Sequence, residues 1–176
     1  FSTASGLTSF DGSDLVYYSD VSESNSFGLN SITAIAEDKA QNLYIATTKC
    51  LIFYNRKDKS FIQLRYKFNG TPKLYDISGI ATYIDKEGMV YFGTGTKGLF
   101  IYDPYKKVMQ HFNLDATKPD EWQDRLFNTV SSIAAHASDT GKIWLGTYHG
   151  IYLFDKHTKK ISQNFEIVTP LAQKYM

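Results

Sequence analysis

Apolar and polar positions alternate in short runs along this chain, and the runs return in a fixed order. Alternation with period two predicts half-buried strands rather than helices. One run reads Ile/Val, Ser/Thr, small, Ile, Ala: Ile32-Thr33-Ala34-Ile35-Ala36, Ile77-Ser78-Gly79-Ile80-Ala81 and Val130-Ser131-Ser132-Ile133-Ala134. The next reads aliphatic, aromatic, apolar, Ala/Gly, Thr, at Leu43 to Thr47, Val90 to Thr94 and Ile143 to Thr147. A third runs from Leu51 to Asn55, Leu99 to Asp103 and Ile151 to Asp155, with a further copy upstream from Leu7 to Asp11. Each unit closes on another strand-like run, at Leu15 to Tyr18, Phe61 to Leu64, Val108 to Phe112 and Ile161 to Val168. Turn-forming residues separate the runs, among them Gln41-Asn42, Lys86-Glu87-Gly88, Asp103-Pro104 and Asp139-Thr140-Gly141.

Copies of the third run start at Leu7, Leu51, Leu99 and Ile151, a period within the roughly 40 to 50 residues of a four-stranded propeller blade. The predicted fold class is therefore all-β, a β-propeller of four-stranded antiparallel blades. Residues 1–26 supply the outer half of a blade, 27–70 a blade, 71–126 a blade with a long link, 127–168 a blade, and 169–176 the start of a next element. A closed propeller needs about four to eight blades. About three and a half predicts a fragment of a larger ring, with the remaining blades of the parent as partners. The chain also opens at Phe1 without an initiator Met or a signal-like segment, which we read as a piece of a longer polypeptide.

Composition narrows the function. Thirteen Tyr and twelve Phe suit rings packed across pleated surfaces. A formal net charge of +1 supplies no basic face for phosphates, so nucleic acid is not an expected partner. The single Cys50 forbids an intrachain disulfide. No apolar run approaches the roughly 20 residues of a membrane helix, so this segment is expected to make no membrane contact.

The string Asp139-Thr140-Gly141-Lys142-Ile143-Trp144-Leu145-Gly146-Thr147-Tyr148-His149-Gly150-Ile151-Tyr152-Leu153-Phe154-Asp155 resembles the two-component regulator propeller repeat. Gly93-Thr94 and Gly98-Leu99 fit the same pattern in the preceding repeat, whereas Ala46 and Cys50 replace both glycines in the first. The resemblance implies a periplasmic sensor region, the extracytoplasmic part of an inner-membrane hybrid two-component protein from a polysaccharide-degrading bacterium. It also implies that the kinase and DNA-binding outputs lie outside this chain and that oligosaccharide fragments are the ligands.

Several motifs have a plainer structural reading. Gly93-Thr94-Gly95-Thr96-Lys97-Gly98 spells GxGxxG, but a strand pattern follows where a dinucleotide site needs a helix. A hairpin turn is expected there, and no cofactor. Asp139 to Trp144 is similar to a sialidase Asp box, yet Arg56, Arg65 and Arg125 fall at unmatched repeat positions and make no carboxylate-binding cluster. His111, His136, His149 and His157 show no metal-ligand spacing. No GxSxG nucleophile elbow is present, so no catalytic residue is assigned and the chain is not read as an enzyme. Asn69-Gly70-Thr71 is read as a turn.

In a propeller, the turn between second and third strands shares one end with the links between blades. Ligands commonly sit there. That places Lys49, Lys97, Tyr148 and His149 beside the long link from Asn113 to Asn128, which holds Trp122 and Arg125. These six are the candidate ligand-binding residues. Trp122 and Arg125 either stack on and hydrogen-bond a sugar, or Trp122 plugs the groove between two blades. Two functional classes fit: a non-catalytic ligand sensor, and a protein-interaction or homodimer scaffold with no small-molecule site of its own.

Overall fold

The computed structural model describes residues 2–3, 6–10, 12–18, 27–68, 75–117 and 127–163. Strands β1 (Ser2–Thr3), β2 (Gly6–Phe10) and β3 (Leu15–Tyr18) form a three-stranded antiparallel sheet. A 3₁₀ turn at Leu29–Ser31 leads into β4 (Ile32–Glu37), β5 (Leu43–Thr47), β6 (Leu51–Asn55) and β7 (Ser60–Tyr66), which follow one another as an antiparallel meander. β8 (Tyr75–Asp76) adds a fifth strand to that sheet. The next meander is β9 (Gly79–Ile84), β10 (Val90–Thr94), β11 (Leu99–Asp103) and β12 (Val108–Phe112). The last is β13 (Ser132–Ala135), β14 (Lys142–Thr147), β15 (Gly150–Asp155) and β16 (Lys160–Gln163). These are propeller blades, and the described fold is all-β.

The structure differs from the sequence reading at one seam. Tyr75 and Asp76, grouped by sequence with the following blade, pair instead with Tyr66 and Arg65 of the preceding one. An ion pair from Arg65 Nε to Asp76 Oδ1 (2.9 Å) accompanies the added strand.

Alternation along each strand sends side chains into two different cores. In β5 and β6, Tyr44, Ala46 and Leu51 face Val90, Phe92 and Phe100 of the next blade, with Leu64, Phe68 and Ile77 completing the cluster. Ile45, Ile52 and Tyr54 point the other way and join Leu7 and Leu29. Tyr91, Leu99 and Ile101 likewise pack on Val130, Ile143, Leu145 and Phe154. Each described cluster therefore draws on two sheets, and burial there is worth about 25 cal/mol per Å² of apolar surface.

Small residues set how closely the blades approach. A Cβ at Gly79 would lie 2.6 Å from Leu51 Cδ2 and 2.8 Å from Ala46 Cβ, and one at Gly93 would collide with the Val130 carbonyl oxygen. Ala46 takes the place of Gly93 in its own blade because the facing residue there is Gly79. A register shift at Ile32/Ala34 accompanies the bond by which the Thr33 hydroxyl reaches the Gly79 carbonyl of the neighbouring blade (2.8 Å).

The turns repeat as closely as the strands. Asn55, Asp103 and Asp155 each accept two following backbone amides through Oδ1 at 2.8–3.2 Å. The turns end at Lys59, Lys107 and Lys159, all with positive φ.

Candidate functional site

The turns β5–β6, β10–β11 and β14–β15 share one end of the blades, and a threonine clamps each. The hydroxyls of Thr47, Thr94 and Thr147 donate to the carbonyls of Cys50, Gly98 and Gly150 at 3.0, 2.9 and 2.8 Å. The same oxygens accept backbone amides inside the turn, from Cys50, Lys97 and His149 at 2.9, 2.8 and 3.1 Å. The GxGxxG string is thus the hairpin turn expected, joining β10 to β11. Gly98 has φ of +70°, a conformation that favours glycine. Cys50 lies outside the positive-φ region, so the Thr47-to-Cys50 turn does not call for a glycine there. Its thiol donates to the Phe27 carbonyl (3.1 Å).

Four of the six sequence-predicted site residues lie on these turns. Lys49 is exposed, and its amide donates to Thr47 Oγ1 (3.2 Å). Lys97 is engaged within the fold: its ammonium lies 4.8 Å from the centroid of the Phe68 ring, and burial pushes its pKa down. Its carbonyl meets His111 Nε2 at 2.7 Å. A carbonyl only accepts, so that nitrogen carries the proton. The His111 ring in turn stacks on Phe100, with centroids 4.6 Å apart. Tyr148 is 70% exposed. The His149 ring lies parallel to that of Phe127, at 4.4 Å and 1°, and Gln163 Nε2 holds the His149 carbonyl at 3.0 Å. Trp122 and Arg125 lie outside the described residues.

Phe127 was not among the sequence candidates. It is half exposed beside Asn128, which ties the inter-blade link together. Asn128 Oδ1 accepts the Leu114 amide (3.0 Å), and Nδ2 donates to Asn113 Oδ1 (2.9 Å). An aromatic next to a buried link anchor is the signal that would have found it. Phe127 and His149 make a stacked aromatic patch at the turn end, next to the exposed Tyr148 in the same turn, and its outer ring face suits the apolar face of a ring-shaped ligand.

The opposite end of the blades carries chemistry that sequence reasoning missed. Asp85, with its side chain 3% exposed, accepts the Tyr91 hydroxyl (2.9 Å) and the Met89 amide (2.9 Å). The Lys156 ammonium of the next blade reaches it at 3.1 Å and also pairs with Glu87. Burial alone would raise the Asp85 pKa, but hydrogen bonding to Glu87, then to Lys156, the Met89 amide and Tyr91, outweighs it and holds the carboxyl below its usual range. A cavity of about 530 Å³ opens beside this network, floored by Met89, Ile101 and Val108. Among the described residues, no group of three His, Cys, Asp or Glu side chains is placed to hold a metal ion.

Repeating four-stranded meanders that share their cores define the described residues as a run of β-propeller blades. Residues 26–49 match the two component regulator propeller family. No curated protein matches it by sequence. The fold is similar to the extracellular domain of BT4673 from B. thetaiotaomicron, described as a hybrid two component system. The TM-score is 0.70 and the identity 20%, over 96% of this chain and 24% of that one. The corresponding domain of BT3049 from the same organism gives 0.69 and 20%, over 93% and 22%. PorZ, a surface component of the type-IX secretion system of Porphyromonas gingivalis, gives 0.58 and 18%, over 80% and 20%. At these identities the likeness is one of fold. The chain spans about a quarter of the length of the first two.

Proposed function

We propose that the chain is a non-catalytic sensor segment in the extracytoplasmic, periplasmic part of a hybrid two-component signalling protein, and that it takes a carbohydrate-derived ligand at the turn end of its blades. The observation that carries the reading is the exposed Phe127–His149 stack beside Tyr148. The outward ring face of this solvent-facing stack gives a saccharide ring a surface to lie on, and Gln163 fixes the turn that presents it. The family repeat and the fold likeness support a sensor. Neutral oligosaccharides titrated into the protein, followed by amide NMR shifts at residues 127 and 147–150, test the ligand class. Saturable shifts that Phe127→Ala abolishes support the reading. Shifts confined to other residues, or none with any oligosaccharide, overturn it.

A second reading, an interaction or homodimer scaffold, is favoured by exposed apolar residues on the first and last described sheets. Phe10, Leu15, Val16 and Tyr17 are exposed on the first. On the last, Ile151 is 45% exposed at the repeat position where Leu51 and Leu99 are fully buried. Sedimentation of wild type against Ile151→Asp separates the readings: a dimer that the substitution dissociates favours the scaffold, and a monomer in both cases removes it.

A further inference from the structure

The groove beside the Asp85–Lys156 pair breaks the repeat in its floor. It lies between β9–β12 and the turns of β13–β16, at the end of the blades away from the aromatic patch, and encloses about 530 Å³. That volume suits a small molecule. Strand register puts the floor on one face of its sheet. Ile101 pairs with Gln110, Asp103 with Val108 and Tyr91 with Ile101, and all five line the groove. Met89, two residues before Tyr91, shares that face and packs against the core common to both sheets.

Two of the floor residues are apolar where the other blades are polar. Met89 immediately precedes Val90, whereas Asn42 and Lys142 precede Leu43 and Ile143 at the matching positions. Val108 pairs with Asp103, as Ser60 pairs with Asn55 and Lys160 with Asp155. Val108 is nonetheless 49% exposed, so its apolar side chain adds little to the core. Both departures fall in one blade and meet on one cavity floor. A ligand that covers Met89 and Val108 takes apolar surface out of water.

The charges decide the head group. Three carboxylates line the groove, and each already has a lysine. Asp85 and Glu87 share Lys156, and Lys106 Nζ lies 3.5 Å from Asp103 Oδ2. Lys159 is the third lysine of the lining, and it forms no ion pair among the described residues. Its ammonium lies 5.9 Å from the centroid of Phe154, a buried ring in the same core as Ile101, which turns the lysine over the seam. The turn fixes its place: the Lys159 amide donates to the Asp155 carbonyl (2.9 Å), with φ of +57°. An aliphatic floor, paired carboxylates and a lysine still without an anion fit a molecule with an alkyl body and a single negative charge.

We propose that this groove binds a short-chain monocarboxylate, its alkyl chain lying on Met89 and Val108 and its carboxylate accepting from the Lys159 ammonium. The site shares no residue with the Phe127–His149 patch, so either reading can fail without the other.

The test titrates hexanoate, butanoate and hexan-1-ol into the protein and reads the amide resonances of Val108 and Gly141 by NMR. Hexanoate is expected to shift both saturably. Butanoate, two methylenes shorter, is expected to bind about tenfold more weakly, and hexan-1-ol about fivefold more weakly. Lys159→Asn brings in a residue type that tolerates positive φ and is expected to erase the preference for hexanoate over hexan-1-ol. Val108→Ser, at a half-exposed position where another blade carries Ser60, is expected to weaken hexanoate binding about five- to tenfold. No saturable shift with hexanoate, equal affinity for hexan-1-ol, or hexanoate binding unchanged by Val108→Ser overturns the proposal. So does a preference for hexanoate that survives Lys159→Asn.

Discussion

Lys156 crosses from one blade to the next to place its ammonium 3.1 Å from the buried carboxylate of Asp85. Its side chain is itself largely buried, so solvent screens the pair weakly. Removing one partner strands a charge in the groove. Lys156→Met is expected to destabilise the protein by about 3 kcal/mol, and pairing it with Asp85→Asn to restore part of the loss. Urea unfolding of the two single variants and the double variant checks both.

The same pair sets a pH signature. The Asp85 pKa is depressed in the folded state, so its contribution is present above the unfolded value of about 3.9 and is lost as pH falls through the lower folded value. The Lys156 pKa is raised: burial opposes the shift, but the bonds to Glu87 and Asp85 prevail. Its contribution is present below the unfolded value of about 10.4 and is lost as pH rises through the folded one. Thermal melts from pH 5 down to 2 are expected to fall more shallowly for Asp85→Asn than for wild type.

How much of this was legible in the sequence divides by what repeats. Ile45, Phe92 and Leu145 recur at one repeat position, and all three are buried. Periodicity therefore placed the strands. Turn residues marked the β10–β11 hairpin for the same reason, since Thr94 and Gly98 are local partners. Pairings that break the repeat were invisible. Asn42, whose Nδ2 donates to Asp38 Oδ2, stands where the later blade has Met89, and Lys156 stands where the preceding blade has Pro104. Tyr75 and Asp76 joined the earlier sheet through Arg65, a contact that no local spacing announces. Of the predicted site, Tyr148 and His149 stand exposed together, but Lys97 is held by Phe68 because that ring arrives from another blade.

Blade spacing gives a size-swap prediction. Gly79→Ala is expected to cost about 1–3 kcal/mol by overpacking against Leu51 and Ala46. Ala46→Gly in the same molecule removes one of those two contacts. The double variant is expected to lose less than the sum of its singles, a coupling that chemical denaturation of all four proteins measures.

The threonine clamps are expected to matter in proportion to burial. Thr94→Val removes a donor and an acceptor from a buried turn and is expected to cost about 1–2 kcal/mol. Thr147→Val, in an exposed turn, is expected to cost measurably less, because water replaces the lost partners. Midpoints of urea unfolding compare them.

Cys50 is 1% exposed, with its thiol directed at the Phe27 carbonyl. It is expected to resist an aromatic disulfide reagent in the native protein and to react fully in denaturant. A fast native reaction would mean that the Thr47–Cys50 turn opens readily.

Because every described core is assembled from two sheets, no blade owns the surface that holds it. Stability resides in the seams, and a sheet with a neighbour on one side alone has half the anchorage of a sheet between two. Loss of order is therefore expected to proceed seam by seam rather than strand by strand. A ligand bound in the groove at one of these seams would grip two blades at once and stiffen the run as a whole.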